Sequence, residues 1–336
     1  MDAGLYGSSR YCNVSGLAKP LLIVVIDTEE GFDWSKPHSR NNTDVSAMSD
    51  IGLVQKIFDK YDLKPCYVVD YPIATQSLGN SLLKTYLAES RCVIGAHLHP
   101  WVNPPHDEKV SRLNSFPGNL EYSLERDKLS MLLDAIAENL GSYPQIYKAG
   151  RYGFGRNTPS IMDELRLSVD LSPTPGFDYS LEGGPDFSDY SNSPFWFGPG
   201  MKQLCIPCSG GYVGHLGRYS SKVYRIVTNR WLNGVKAPGI MSRLRLLERI
   251  RLSPEGFSLH DMKRVANYLV ERGDKILTMS FHSPTVTPGW TPYVSNKIEL
   301  ADFLGKIEGF LGYFREDVGG GFTDPVDILG RLSNPL

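Results

Sequence analysis

Residues 22–34, Leu-Ile-Val-Val-Ile-Asp-Thr-Glu-Glu-Gly-Phe-Asp-Trp, restrict the fold more than any other stretch of the chain. Leu22 to Ile26 form an apolar, mostly β-branched run of strand length, too short to span a membrane. A run with no polar alternation suits a central strand of a parallel sheet, covered on both faces. It ends in Asp27, Glu29 and Glu30. Strand side chains alternate, so Asp27 and Glu29 point one way and Thr28 the other. Acids at the carboxyl end of such a strand occupy the place where barrels and doubly wound sheets carry their chemistry. A solvated acidic turn that merely stops the strand has the same local sequence.

The rest of the chain repeats the pattern. Apolar positions 51, 54, 57, 58 and 61 recur at helical spacing, and Cys66 to Val69 reads as a strand. Residues 78–87 read as helix, 92–97 as strand, and 122–140 as a long amphipathic helix. Strands are then expected at 145–149, 167–171 and 276–281, with helices at 158–165, 259–270 and 298–314. Strands alternating with helices predict an α/β fold with a mostly parallel sheet. Residues 1–19 read as an N-terminal arm outside the domain that begins at 20 and runs to 336. Residues 172–220, rich in Gly, Pro, Ser and aromatics, read as long loops over the mouth of the sheet.

Composition narrows the function. A chain of 336 residues, 41% hydrophobic and 21% charged, folds as a globular body with room for a large core. A net charge of −2 argues against a nucleic-acid partner. No apolar run reaches transmembrane length and none near the start resembles a signal peptide, so a cytoplasmic location is the expectation. Five cysteines, an odd number, do not suggest a disulfide framework. Cys205 and Cys208 form a lone C-x-x-C without the second pair that a zinc site needs. Composition assigns no oligomeric state.

A second cluster follows the third strand. His97 and His99 in Gly-Ala-His-Leu-His share the i, i+2 spacing of Asp27 and Glu29. Two imidazoles facing one way, with a carboxylate from another strand end, make a three-ligand set for zinc with an open position for water. His106, in a proline-rich loop, reads as structural, with substitute ligation as the alternative. His282 closes another strand, in Ser-Phe-His, where an imidazole can titrate near neutral pH and donate a proton. Arg151 follows the 145–149 strand and can hold Asp27 ionised; an ordinary surface ion pair is its other reading.

Ile-Asp-Thr-Glu, Gly-Ala-His-Leu-His, Gly-Arg-Tyr-Gly-Phe, Val-Asp and Ser-Phe-His, in this order, resemble the five motifs of the polysaccharide deacetylases, the NodB-homology carbohydrate esterases of family 4, and in particular their WalW-like branch. The resemblance covers residues 20 to 295. It implies a single distorted (β/α) barrel of about seven strands holding a divalent metal, most often Zn2+. It implies Asp27 as base, with Glu29 as the carboxylate ligand because Thr28 occupies the family's ligand position. The family's two metal histidines stand four apart, whereas here Trp101 fills the expected second place and His99 is the second histidine. Arg151 matches the arginine that tethers the base, and Asp170 the acid that orients the catalytic histidine. Phe154 falls where a backbone amide helps to hold the oxyanion, and His282 matches the general acid.

The chemistry so implied is hydrolysis of an N-acetylated sugar or glycan. A water acidified by the cation loses a proton to Asp27 and attacks the amide carbonyl, and His282 protonates the departing amine. Trp101 and Trp290, with Trp34 and Tyr293, are candidates to stack on sugar rings, or else core aromatics. Residues 222–251 carry eight Lys/Arg against one acid, Glu248. Residues 243–251 read as an amphipathic helix whose basic face is solvated or contacts an anionic surface or nucleotide sugar. Two other functions fit the same residues: hydrolysis of a different C–N bond, in a cyclic amide or formyl group, and a non-catalytic carbohydrate-binding barrel.

Overall fold

The computed structural model describes residues 4–214 and 248–332. Its strands are β1 (Ser9–Tyr11), β2 (Leu21–Thr28), β3 (Cys66–Val69), β4 (Val93–Leu98), β5 (Ile146–Ala149), β6 (Val169–Asp170), β7 (Phe195–Phe197), β8 (Gln203–Cys205), β9 (Gly210–Val213), β10 (Glu248–Arg251), β11 (Ile276–His282) and β12 (Gly321–Phe322). The helices are α1 (Gly52–Lys60), α2 (Tyr71–Thr75), α3 (Ser77–Ala88), α4 (Tyr122–Leu140), α5 (Thr158–Glu164), α6 (Leu259–Glu271), α7 (Lys297–Glu316) and α8 (Pro325–Arg331).

The main sheet runs β1-β7-β8-β6-β5-β4-β3-β2-β11, with β12 also paired to β2. From β8 to β11 every neighbour in this order is parallel, and β7 and β1 add antiparallel strands at the edge. No continuous ladder joins the two ends among the described residues. Single hydrogen bonds instead tie β11 to the segments after β8 and β10: Ser209 N donates to Thr278 O at 3.1 Å, Leu252 N to Ser209 O at 2.8 Å, and Ser280 N to Leu252 O at 3.2 Å. This is the distorted (β/α) barrel expected from the motifs.

Strand parity divides the core in two. Leu21, Ile23 and Val25 point inward and pack with Val68, Ile146, Val169, Leu204 and Ile276, while Ile328 of α8 joins them. Leu22, Val24 and Ile26 point outward under the helices. Asp27 and Glu29 therefore continue the inward row beyond the apolar filling. On β4 the inward row is Gly95, His97 and His99. A Cβ on Gly95 would lie 2.8 Å from Val68 Cγ1, so the barrel interior admits only glycine there.

The N-terminal segment supplies β1 and buries Tyr6, whose ring stacks on Phe154 at 4.1 Å. Residues 222–247 of the basic stretch lie outside the described residues. Residues 248–251 are strand β10, paired antiparallel with β9, and not the amphipathic helix read from the sequence. Arg249 and Arg251 share one side of a β-ribbon, a period-2 pattern that the leucine-rich residues before it obscured. Among the described residues no helix is long and apolar enough to cross a membrane.

Helix α4 carries Glu125 fully buried. Its Oε1 accepts from Thr158 Oγ1 at 2.5 Å, while Oε2 has no partner among the described residues. Burial pushes this carboxyl up to about 8. The folded chain keeps a proton that the unfolded chain releases near its ordinary value of 4.5, so stability falls as pH rises between these values. Glu125→Gln should flatten that slope and gain on the order of a few kcal/mol over the parent at pH 8 relative to pH 5. Urea midpoints at the two pH values measure it; parallel curves would mean that Glu125 ionises normally.

Candidate active site

Adjacent strand ends bring the inward-facing polar groups together. His282 is paired in register with Asp27, and His97 with Lys148. Asp27, Glu29, His97 and His99 are all buried, between 2% and 4% exposed. His97 Nε2 lies 3.6 Å and His99 Nε2 3.4 Å from the same oxygen of Glu29. One ligand atom from each of Glu29, His97 and His99 lies within 4.8 Å of the other two.

The far sides of both imidazoles decide what those atoms are. His97 Nδ1 lies 2.9 Å from the Lys148 carbonyl, which can only accept, so Nδ1 carries the proton. His99 Nδ1 is 2.8 Å from Glu30 Oε2, a carboxyl that burial pushes up to about 8, so this pair shares one proton that either partner can carry at neutral pH. Burial pushes His99 down to about 4 and also lowers His97, which keeps both rings neutral at pH 7. With the protons on the two Nδ1 atoms, both Nε2 lone pairs face the same Glu29 oxygen. Three converging acceptors are unfavourable by themselves and become favourable around a cation, so these residues fit a metal.

A further layer fixes this group. Glu30 Oε1 accepts from Trp101 Nε1 at 2.7 Å, and the Glu30 amide donates to Asp70 Oδ2 at 2.6 Å. Asp70 also caps α2 through the Ile73 amide. The loop after His99 is pinned from α4 by Lys128, whose buried amine donates to the carbonyls of Pro100, Asn103 and Pro105 and lies 3.0 Å from Glu108. Glu30 is marked in the sequence only as one of the acids ending the first strand, and Asp70 and Lys128 are not singled out there. A lysine on the apolar face of α4 was the available signal.

The base and acid have partners other than those expected. Lys148 of β5, fully buried, donates to both oxygens of Asp27, at 2.5 Å to Oδ1. Burial, the largest single influence, would raise Asp27; the Lys148 charge, His97, His282 and the Lys148 hydrogen bonds together outweigh it and hold the carboxyl at about 2. Arg151, by contrast, bonds Ser115 Oγ at 2.5 Å and Glu182, and does not reach Asp27. Arg151 and Tyr152 both sit in left-handed backbone (φ 52° and 58°), a turn that swings Arg151 toward the rim. A lysine inside the strand Ile-Tyr-Lys-Ala was the missed signal for the true partner.

His282 Nδ1 meets Glu255 Oε2 at 2.8 Å, and its Nε2 lies 3.7 Å from Asp27. Glu255 also accepts from the His282 amide and from Thr285 Oγ1. Burial works against the imidazolium, but Glu255, then Glu29 and Asp27, raise His282 to about 9. Asp170 does not orient this ring: it is buried beneath Tyr6, Ser172 and Cys205, accepting from Tyr6 OH at 2.6 Å. Its strand is two residues long and stops below the mouth.

A cavity of about 730 Å³ opens over these groups, lined by Asp27, Glu29, His97, His99 and His282 together with Trp34 and Tyr293. Trp34 stands 5.0 Å from His282 and 5.7 Å from Tyr293. Trp101 borders the cavity, but its ring is buried between His38 and His99, each 4.2 Å away, leaving neither face for a sugar. Trp290 packs over Gly31 and does not line the cavity. The Phe154 amide already donates to Tyr152 O at 2.9 Å and its ring lies in the core, so it is not the oxyanion donor. His106 is exposed and belongs to neither cluster of candidate metal ligands among the described residues.

No family model and no curated protein matches the chain. Solved structures do. A Mycobacterium smegmatis protein assigned to the polysaccharide deacetylases superposes with TM-score 0.55 at 12% identity, covering 96% of this chain and 93% of its own. The 4-alpha-glucanotransferase of Thermococcus litoralis superposes with TM-score 0.52 at 11% identity, over 94% of this chain and 41% of that one. The peptidoglycan deacetylase PdaC from Bacillus subtilis follows at 0.41 and 10%, over 94% and 91%. The barrel is thus of the type seen in polysaccharide deacetylases, as the motif order implied. A glucanotransferase on a similar scaffold means that the fold alone does not choose the reaction.

Two substitutions separate the cations near Asp27. Lys148→Met strands a buried carboxylate and should cost about 3–5 kcal/mol in urea unfolding at pH 7. Arg151→Gln breaks a partly exposed pair and should cost about 1 kcal/mol or less. The reverse ranking would return the tether to Arg151.

Proposed function

We propose that this protein is a metal-dependent hydrolase that removes N-acetyl groups from an amino sugar or glycan. The observation that carries the reading is one cavity in which a three-acceptor group adjoins an ionised acid and a protonated imidazole. Glu29, His97 and His99, two imidazoles and one carboxylate, suit Zn2+ in a site with an open position. Bound there, the ion would polarise the amide carbonyl and make water acidic near neutral pH.

The chain's own groups supply the remaining steps. Asp27, anionic and held by Lys148 at both oxygens, orients the attacking water and takes its proton. Because Lys148 lowers its basicity, Asp27 does not retain that proton and is ready to release it as the cycle closes. His282 Nε2 faces Asp27, and Glu255 keeps the ring cationic, so it can protonate the departing nitrogen. An amide anion is too basic to leave without that proton. The C–N bond breaks to acetate and a free amine. Trp34 and Tyr293, next to His282, are the aromatic surfaces for the sugar. The free cysteines, four of them buried, fit a reducing, cytoplasmic setting.

Acetate release from N-acetylated chitooligosaccharides tests the reading. A chelator should abolish it and Zn2+ restore it; Asp27→Asn and His282→Ala should each lower kcat by roughly 10²–10⁴. Rates near the parent's in either variant would sink the mechanism, and release of formate from formylated sugars in preference to acetate would redirect it to another C–N bond. Glu255→Gln removes the charge that favours imidazolium, so the alkaline limb of kcat, set by a group raised to about 9, should move to lower pH.

A further inference from the structure

Above the catalytic groups one wall of the cavity carries three guanidinium groups and a single carboxylate. Arg112 and Arg151 both pair with Glu182. Arg251 meets no carboxylate among the described residues. Its two terminal nitrogens donate to Tyr152 OH at 3.0 Å and Tyr179 OH at 2.8 Å, and its Nε is buried without an acceptor. The guanidinium rests on Phe177 at 4.4 Å and Tyr152 at 5.0 Å from the ring centroids. All three arginines, Glu182 and both tyrosines line the cavity.

Arg251 is half-buried with its Nε fully covered, and phenol oxygens and aromatic faces compensate its charge less well than a carboxylate would. The complement missing from this wall is an anion. Resting on the proposed deacetylase reading, we propose that the cavity receives an acetamido sugar bearing an acidic group, a carboxylate or phosphate, which Arg251 holds with Arg151 and Arg112 beside it. Guanidinium forks match both groups in geometry.

The spacing fits one substrate. Lys148 Nζ lies 4.8 Å from the Tyr152 ring centroid and Arg251 Cζ 5.0 Å from it, so the Asp27 partner and the anion-binding arginine are within about 10 Å of each other. The acidic group then belongs to the sugar that carries the acetamide or to its immediate neighbour. Tyr152, between the two cations, links the wall to the catalytic floor.

Binding by calorimetry, on protein loaded with Zn2+, tests this with three probes: N-acetylglucosamine, N-acetylmuramic acid and N-acetylglucosamine 6-phosphate. At least one acidic probe should bind about tenfold or more tightly than the neutral sugar. The advantage should shrink as ionic strength rises from about 0.01 M to about 1 M, and the better acidic probe tells carboxylate from phosphate. Arg251→Gln should erase the advantage, and Arg251→Lys, which keeps the charge without the fork, should retain part of it. Equal binding of neutral and acidic probes to the parent protein overturns the proposal, whether or not the variants fold. So does an advantage that survives in folded Arg251→Gln. Acetate release is not the readout: a chain that prefers the acidic probe yet hydrolyses none of them would sink the deacetylase reading and leave this one standing.

Discussion

The structure turns on a buried ion pair between neighbouring layers of the barrel mouth. Lys148 and Asp27 come from different strands, β5 and β2, and neither is stable alone at that depth. Pairing makes each the condition of the other's charge: burial alone would neutralise both, and together burial is overcome and the carboxylate stays ionised. The same lysine offers its carbonyl to His97, so one residue sets the charge of the acid and the tautomer of a ligand. A short strand of four residues thereby organises two functions through its side chain and its backbone.

The metal-ligand group depends equally on what stands behind it. Glu29, His97 and His99 would be three flexible acceptors without the groups that turn them inward. Glu30 aims His99, Trp101 and Asp70 aim Glu30, and Lys128 ties the loop between them to α4. Each member is a polar group in apolar surroundings, tolerated because its hydrogen-bonding capacity is met. The exception is the group of Glu29, His97 and His99, whose polar atoms converge within 4.8 Å of one another.

How much of this was legible follows from range. Hydrophobic period and strand length placed β2 to β6, β11 and the principal helices to within a residue or two, because they depend on local pattern. The stretch 172–220, read as loops, holds β7, β8 and β9, strands too short to show a period. The i, i+2 spacing of Asp27 with Glu29 and His97 with His99 read correctly as two inward rows, since strand parity is also local. The partners did not read. Arg151 was expected on Asp27 and Asp170 on His282; Lys148 and Glu255 are there instead. Which cation reaches Asp27 is decided by the left-handed turn at 151–152 and by strand register, and neither is a property of the motif. The sequence leaves Trp101 open between a sugar-stacking ring and a core aromatic; it is the latter, its indole N–H serving Glu30 in the interior.

Position in a motif and role in a site are thus separable, and the separation has a physical limit. A base needs a nearby cation to stay ionised, and an acid needs a nearby anion to stay protonated; a barrel mouth offers several strand ends from which either can come. Here the anion beside His282 is Glu255, on the segment after β10, and the cation beside Asp27 is Lys148, from within β5. Arg151, relieved of the base, joins the rim with Arg112 and shares its carboxylate. With a buried lysine on Asp27, Arg151 is held at the cavity rim by Glu182 and Ser115, beside Arg112 and Arg251.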